Sequence, residues 1–150
     1  MQVHSAQQMQ ELGQRIARIS RGSDVLILTG ELGAGKTTLA QGIAQGLGIT
    51  EPVTSPTFVL SKHYRNPNAD QLNLFHLDLY RIGSVDELLD LWSEADAQDA
   101  LTLVEWGAPW AGEFGDSVAE LVLGIAEDDT RFVEIDGESS DFARRIAGAF

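Results

Sequence analysis

The sequence predicts an α/β fold in a single domain, residues 1–150, with a mixed sheet of parallel and antiparallel strands flanked by helices. Three observations carry this reading. An apolar run at residues 24–29 enters a glycine-rich turn and then helical periodicity over Lys36–Leu47, which is the strand–loop–helix order of a parallel α/β unit. Two pairs of alternating segments, each joined by turn-forming residues, add hairpins and therefore antiparallel strands. Amphipathic helices open and close the chain. At 150 residues and 43% hydrophobic content, one core is the natural expectation.

The elements follow in order. Residues 5–20 form a helix, because Met9, Leu12, Ile16 and Ile19 recur at helical spacing and Ser5 with Gln8 makes a capping box. The strand at 24–29 and the helix Lys36–Leu47 come next, and Gly46 and Gly48 end that helix. Residues 54–57 are a loop: Pro56 lacks an N–H and biases Ser55 to extended geometry. A strand at 58–64, a turn at 66–68 and a strand at 72–78 form the first hairpin. Ser84 caps a helix bearing Val85, Leu88, Leu89 and Trp92, with Asp86 and Glu87 in its favourable first turn. Residues 101–105 read as a buried strand. Strands at 120–126 and 131–136 flank an acidic turn at 127–129, and a last helix at 141–150 presents Phe142, Ile146 and Phe150 on one face.

The segment Gly30-Glu-Leu-Gly-Ala-Gly-Lys-Thr37 is a complete Walker A pattern, and it lies between a strand and a helix as that motif requires. Gly30, Gly33 and Gly35 are expected to take positive φ and to admit a phosphate without a Cβ in the way. Successive backbone N–H groups across Leu32, Gly33, Ala34 and Gly35 then make an anion nest at a helix N-terminus. Lys36 adds a charge for the β- and γ-phosphates, Thr37 a hydroxyl for Mg²⁺, and Thr38 a contact toward the α-phosphate. The fold is thus P-loop NTPase-like, with ATP and Mg²⁺ as expected ligands.

Hydrolysis needs more than a phosphate loop. Glu105 ends the apolar run 101–104 in the manner of a Walker B acid and is assigned to the metal shell. Asp78 ends residues 74–77 and is a candidate to orient water, act as general base or join the metal, with a structural pairing to Arg81 as the alternative. Thr57 stands where a switch threonine would sense the γ-phosphate, although Ser55 and Thr57 also suit a plain turn. Trp106, next to Glu105, offers stacking area or a packing sensor, with an ordinary half-buried tryptophan as the default reading. His63 and His76 read as strand-face histidines without metal spacing, and Asp128 and Asp129 as a solvated turn.

Net charge is −13, from 10 basic and 23 acidic residues. That argues against direct nucleic-acid binding, which depends on Lys and Arg neutralising phosphates. It suits docking on a more basic partner, or solubility alone. The absence of cysteine excludes disulfide and thiolate chemistry. The polar start and the lack of any membrane-length apolar run predict a cytoplasmic protein without membrane attachment.

Taken together, the P-loop through Thr38, the Ser55-Pro-Thr-Phe58 segment, His76-Leu-Asp-Leu-Tyr-Arg81 and Val104-Glu-Trp106 resemble the TsaE (YjeE) family of bacterial ATPases. Gly107 follows the tryptophan where many relatives carry proline. The resemblance implies a Mg²⁺-dependent ATPase needed for threonylcarbamoyl-adenosine formation next to the anticodon of tRNAs that read codons beginning with A. TsaD-like and TsaB-like proteins would be its partners, tRNA being met only through that complex. It implies Lys36 on the phosphates, Thr37 and Glu105 on Mg²⁺, Asp78 in catalysis, Thr57 as switch threonine, and Ser5 and Arg131 on the outer side of the nucleotide. Two other functions compete. An ATP-gated binding module would hydrolyse only incidentally. A small-molecule kinase would need a basic lid, and no Arg cluster follows the P-loop helix. A GTPase fits worse, for want of an Asn-Lys-x-Asp segment.

Overall fold

A computed structural model describes residues 1–150. Seven strands are built in chain order as β1 (Gln2–Val3), β2 (Val25–Gly30), β3 (Ser61–Tyr64), β4 (Asn73–Asp78), β5 (Ala100–Glu105), β6 (Val118–Ile125) and β7 (Arg131–Ile135). Five α-helices accompany them: α1 (Ala6–Ile19), α2 (Lys36–Leu47), α3 (Val85–Leu91), α4 (Glu94–Ala97) and α5 (Asp141–Ala147), with a 3-10 helix at Ala108–Glu113. All strands join one sheet in the order β1-β7-β6-β2-β5-β4-β3. The four central strands β6, β2, β5 and β4 are parallel, whereas β3 on one side and β7 on the other run antiparallel to them, and β1 pairs antiparallel with β7 at the edge. The mixed sheet expected from the sequence is therefore present.

Burial follows from that order. The central β2 and β5 are covered on both faces, so their sequences are almost continuously apolar. Alternation then divides the core in two. Leu26, Leu28, Leu74, Leu101 and Leu103 face α1, α2 and α5. Val25, Ile27, Phe75, Leu77 and Val104 face the opposite layer, where Leu88, Trp92 and Phe114 pack. Helices α1 and α2 approach each other backbone to backbone. A Cβ on Gly13 would lie 2.6 Å from the Ile43 nitrogen, and one on Gly42 would lie 2.3 Å from the Gln10 carbonyl oxygen. This contact holds the first helix directly beside the helix that follows the phosphate loop.

Several boundaries differ from the sequence reading. The third strand begins at Ser61, not 58, because the N–H groups of Val59 and Leu60 both donate to the Pro56 carbonyl, at 3.1 and 2.8 Å. Phe58 is left exposed by this turn. Strand β6 starts two residues early, since Val118 pairs with Val25 on β2. Helix α5 ends at Ala147, so Phe142 and Ile146 are buried but Phe150 lies at the exposed end. On α3 only Leu88 is buried; Leu89 faces outward. Strand β1, α4 and the 3-10 helix were not expected. The first two are too short for periodicity to reveal, and β1 exists because Met1 and β7 exchange backbone hydrogen bonds.

At the far end of β2, Asp24 is buried and receives four side-chain and backbone donors. Arg145 of α5 donates to its two carboxylate oxygens at 3.0 and 2.9 Å, the Arg21 N–H donates at 2.7 Å and the Ser117 hydroxyl at 2.6 Å. This cluster ties the closing helix to the strand that carries the phosphate loop at its other end.

Candidate functional site

The phosphate loop spans the gap between β2 and α2. Gly35 is the N-cap of α2 at φ 109°, with no side chain capping the helix, and Gly33 has φ 82°. Both conformations belong to glycine, and the bare helix end leaves its first N–H groups for an anion. Gly30 is different. It ends β2 without positive φ, and its glycine is needed because a Cβ would lie 2.5 Å from the Leu123 carbonyl oxygen. Ala34 is buried, and its N–H closes a turn on the Glu31 carbonyl at 3.1 Å. The Lys36 ammonium donates to the Gly30 carbonyl and, at 3.5 Å, to that of Glu31, so the loop holds its own lysine.

The acids come from the neighbouring strands. In the parallel β4–β5 ladder Asp78 and Glu105 are register partners, and Glu105 is also opposite Leu28 on β2. Alternation places both carboxylates on the face of the sheet that packs under α2. Asp78 is buried and accepts the Tyr80 N–H on Oδ1 at 3.0 Å. Arg81 makes no ion pair with it, so the structural alternative for Asp78 finds no partner there. Glu105 is buried too, and its Oε2 accepts from His76 Nε2 at 3.0 Å.

These residues surround a cleft of about 560 Å³, within the range of small-molecule sites. Leu32, Gly33, Gly35, Lys36, Thr37, Thr38, Thr57, Asp78 and Glu105 line it, so the structure brings together segments far apart in the chain. Ser55 and Thr57 share a hydrogen bond of 2.7 Å on the wall of this cleft. Lys36 is the one base there, facing Glu31, Asp78 and Glu105. A smaller recess of about 210 Å³ lies between the start of α1 and the loop, and the two share Gly33, Gly35 and Thr38. Ser5 and Arg131 line this recess. The Ser5 hydroxyl accepts the Gln8 N–H at 3.1 Å, as a cap should, and Arg131 donates to the Gly33 carbonyl at 3.3 Å. Of the expected residues, Gly30 and Ala34 line neither space.

Comparison with known proteins places the chain in a family. Residues 3–133 match the family model described as threonylcarbamoyl adenosine biosynthesis protein TsaE. The chain belongs to the TsaE family. It is 40% identical over 134 residues to a tRNA threonylcarbamoyladenosine biosynthesis protein TsaE of Streptomyces coelicolor, covering 86% of this chain and 90% of that one. It is 41% identical over 115 residues to the Bacillus subtilis protein of the same name, covering 77% and 70%. The crystal structure of Bacillus subtilis YdiB superposes with a TM-score of 0.72 at 28% identity, covering 99% of this chain and 93% of the other. The family thus ties this chain to tRNA threonylcarbamoyladenosine biosynthesis.

In this TsaE-family chain, sequence reasoning passed over three parts of the site. His76 was read as a plain strand histidine, yet it is 1% exposed and hydrogen-bonded to Glu105. The one available signal was its spacing of two from Asp78, which puts both on the same face of a strand. Trp106 is about half-buried, as expected, but its place was not: it is 56% exposed and lines the cleft, at φ 59°, with its ring 4.9 Å from that of Tyr80. Asp129 belongs to the solvated turn but also lines the recess, where its carbonyl accepts from Arg131 at 2.5 Å. Asp128 next to it is fully exposed, and the Thr130 N–H holds its carboxyl below the usual carboxylate range. His63 stacks flat on Phe75 at 4.1 Å and takes no part in the cleft.

Proposed function

We propose that this TsaE-family chain binds Mg²⁺·ATP in the cleft beside Lys36 and hydrolyses it in support of TsaB-like and TsaD-like proteins. Those partners would carry out the threonylcarbamoyl transfer and handle the tRNA. One observation carries the reading: two register-paired carboxylates, Asp78 and Glu105, stand at strand ends across a cleft from a bare helix N-terminus with Lys36 and Thr37. A binding-only phosphate loop needs no such acids.

The residues fit the ligands. Gly33 has no atom within 4 Å of where a Cβ would stand, which leaves open space over the loop for phosphates. No group of three or more His, Cys, Asp or Glu forms a protein-only metal cage. A hydroxyl on Thr37 and one free oxygen on Glu105 suit Mg²⁺, which takes most of its shell from phosphate and water. When bound, that ion neutralises charge on the β- and γ-phosphates.

The chain's own groups then divide the work. Lys36 leaves the Gly30 carbonyl and turns its charge to the phosphates. Thr37 and Glu105 hold the metal. Asp78, with Oδ1 fixed by the Tyr80 N–H, offers Oδ2 to orient water and receive its proton. Thr57 meets the γ-phosphate from the opposite wall. Ser5 and Arg131 border the recess that continues past Thr38, where the nucleoside would extend.

A second reading is favoured by the rim. Leu32, Phe58, Tyr80 and Trp106 are large apolar side chains left exposed around or beside the cleft mouth. They suit an ATP-gated docking module. Measuring ATP hydrolysis with and without the TsaB and TsaD proteins separates the two. Partner-stimulated turnover that Glu105→Ala abolishes supports the ATPase; ATP-dependent docking that survives without turnover supports the module.

A further inference from the structure

His76 is a buried polar residue whose only side-chain hydrogen bond goes to the candidate metal acid. It lies on β4, two positions before Asp78 and therefore on the same face of the strand. Its Nε2 is 3.0 Å from Glu105 Oε2, and its Nδ1 is buried with no hydrogen-bond partner. An ionised carboxylate only accepts, so Nε2 carries the hydrogen of this bond, and Nδ1 is left without a partner. For stability alone this is a poor arrangement. A buried polar atom without a partner costs free energy that an apolar side chain of similar size would avoid. What the imidazole supplies, and leucine would not, is a fixed donor aimed at one oxygen of Glu105.

The effect on Glu105 follows from its freedom. A glutamate at a strand end has three rotatable side-chain bonds, so its carboxylate can swing between the cleft and the sheet. Anchoring Oε2 against the rigid β4 removes most of that freedom and leaves Oε1 without a protein donor. Glu105 lines the cleft with Thr37; His76 does not.

We propose that His76 is the positioning residue for Glu105: its Nε2–H fixes Oε2 and thereby presents Oε1 to the metal held beside Thr37. This rests on the Mg²⁺·ATP reading. Losing such a support typically weakens metal affinity by about 10–100-fold.

The test is a Mn²⁺ titration of the AMP-PNP complex followed by electron paramagnetic resonance, with metal-free AMP-PNP affinity measured alongside. His76→Leu should weaken Mn²⁺ binding at least tenfold and leave the metal-free affinity within about twofold. His76→Gln, whose amide N–H can reach the same oxygen, should recover most of the loss. In a Glu105→Gln background, His76→Leu should add nothing further, because the two residues act as one unit. Normal Mn²⁺ affinity in His76→Leu overturns the proposal, as does equal damage from Leu and Gln, or an additive loss in the double variant. If His76→Leu does not fold, ¹⁵N-histidine spectra of the unmutated protein decide: the His76 Nε2–H signal must shift when Mg²⁺ joins the AMP-PNP complex, and an unmoved signal overturns the proposal. The underlying reading fails separately. If Glu105→Gln leaves Mn²⁺ affinity unchanged, Glu105 is no metal ligand and both fall; if it weakens binding while His76→Leu does not, only the role of His76 falls.

Discussion

Lys36→Ala should weaken Mg²⁺·ATP binding by about 30–150-fold, and the structure says why the loss is large yet bounded. The ammonium is the one positive charge in a cleft that also holds Glu31, Asp78 and Glu105. Opposite a phosphate oxygen at about 4 Å, and at an effective dielectric near 20, a unit charge contributes about 4 kcal/mol. Two effects reduce this. The lysine must give up its hydrogen bond to the Gly30 carbonyl, worth about 1 kcal/mol, and a half-buried group is partly screened by water. A net loss of about 2–3 kcal/mol remains, which is the stated range. Isothermal titration with AMP-PNP and Mg²⁺ measures it directly, and circular dichroism confirms that the variant is folded. A folded Lys36→Ala protein binding within threefold of the original would refute the reasoning, because the acids would then be compensated by something other than this lysine.

The other predictions concern the acid that faces the lysine and the lock behind the sheet. Asp78→Ala should leave ATP affinity within a fewfold while lowering single-turnover hydrolysis by about 10²–10⁴, the usual reach of a general base; an affinity loss equal to that of Lys36→Ala would end the division of roles. Arg145→Ala should destabilise the fold by about 2–3 kcal/mol. Breaking a buried pair usually costs about 3–5 kcal/mol, but the Arg21 N–H and the Ser117 hydroxyl remain on Asp24. In a domain of this size that is a melting-point drop of about 5–10 °C, read by calorimetry, with nucleotide affinity unchanged below the transition. The same variant should change an acid titration. Arg145 donates to Asp141 at 2.8 Å and holds that carboxyl below its ordinary range. A depressed folded value means the stabilisation is complete above the unfolded value and is lost as pH falls through the folded one. Carbon-detected NMR should therefore find the Asp141 midpoint below that of a free aspartate, and Arg145→Ala should raise it.

How far the sequence could be read depended on the range of the interactions involved. The phosphate loop was legible because its chemistry is local: glycines at fixed spacing, then Lys36 and Thr37, before a helix whose periodicity is plain. The strand ends at Asp78 and Glu105 were legible because an apolar run that stops at an acid is a local pattern as well. Even so, the reason for Gly30 was not local. Its side chain is excluded by the Leu123 carbonyl of β6, about ninety residues on in the chain, and not by turn geometry. Nor could local pattern locate the start of β3, which a turn on Pro56 displaced.

By itself, then, the sequence determined the class of fold and marked out the Walker A segment and the two candidate acids, since each is written in neighbouring residues. Tertiary structure alone decided that Asp78 and Glu105 are register partners on one face, that Ser5 and Arg131 flank the same loop, and that Trp106 stands at the rim. It also decided that His76 is hydrogen-bonded to Glu105. Strand order and register are set by long-range packing of faces whose alternation looks alike in every strand, so no single segment specifies its neighbour. A histidine two residues before an aspartate shows only that they share a face. Which carboxylate that face meets depends on the strand laid beside it, and β5 lies beside β4 only in the folded sheet.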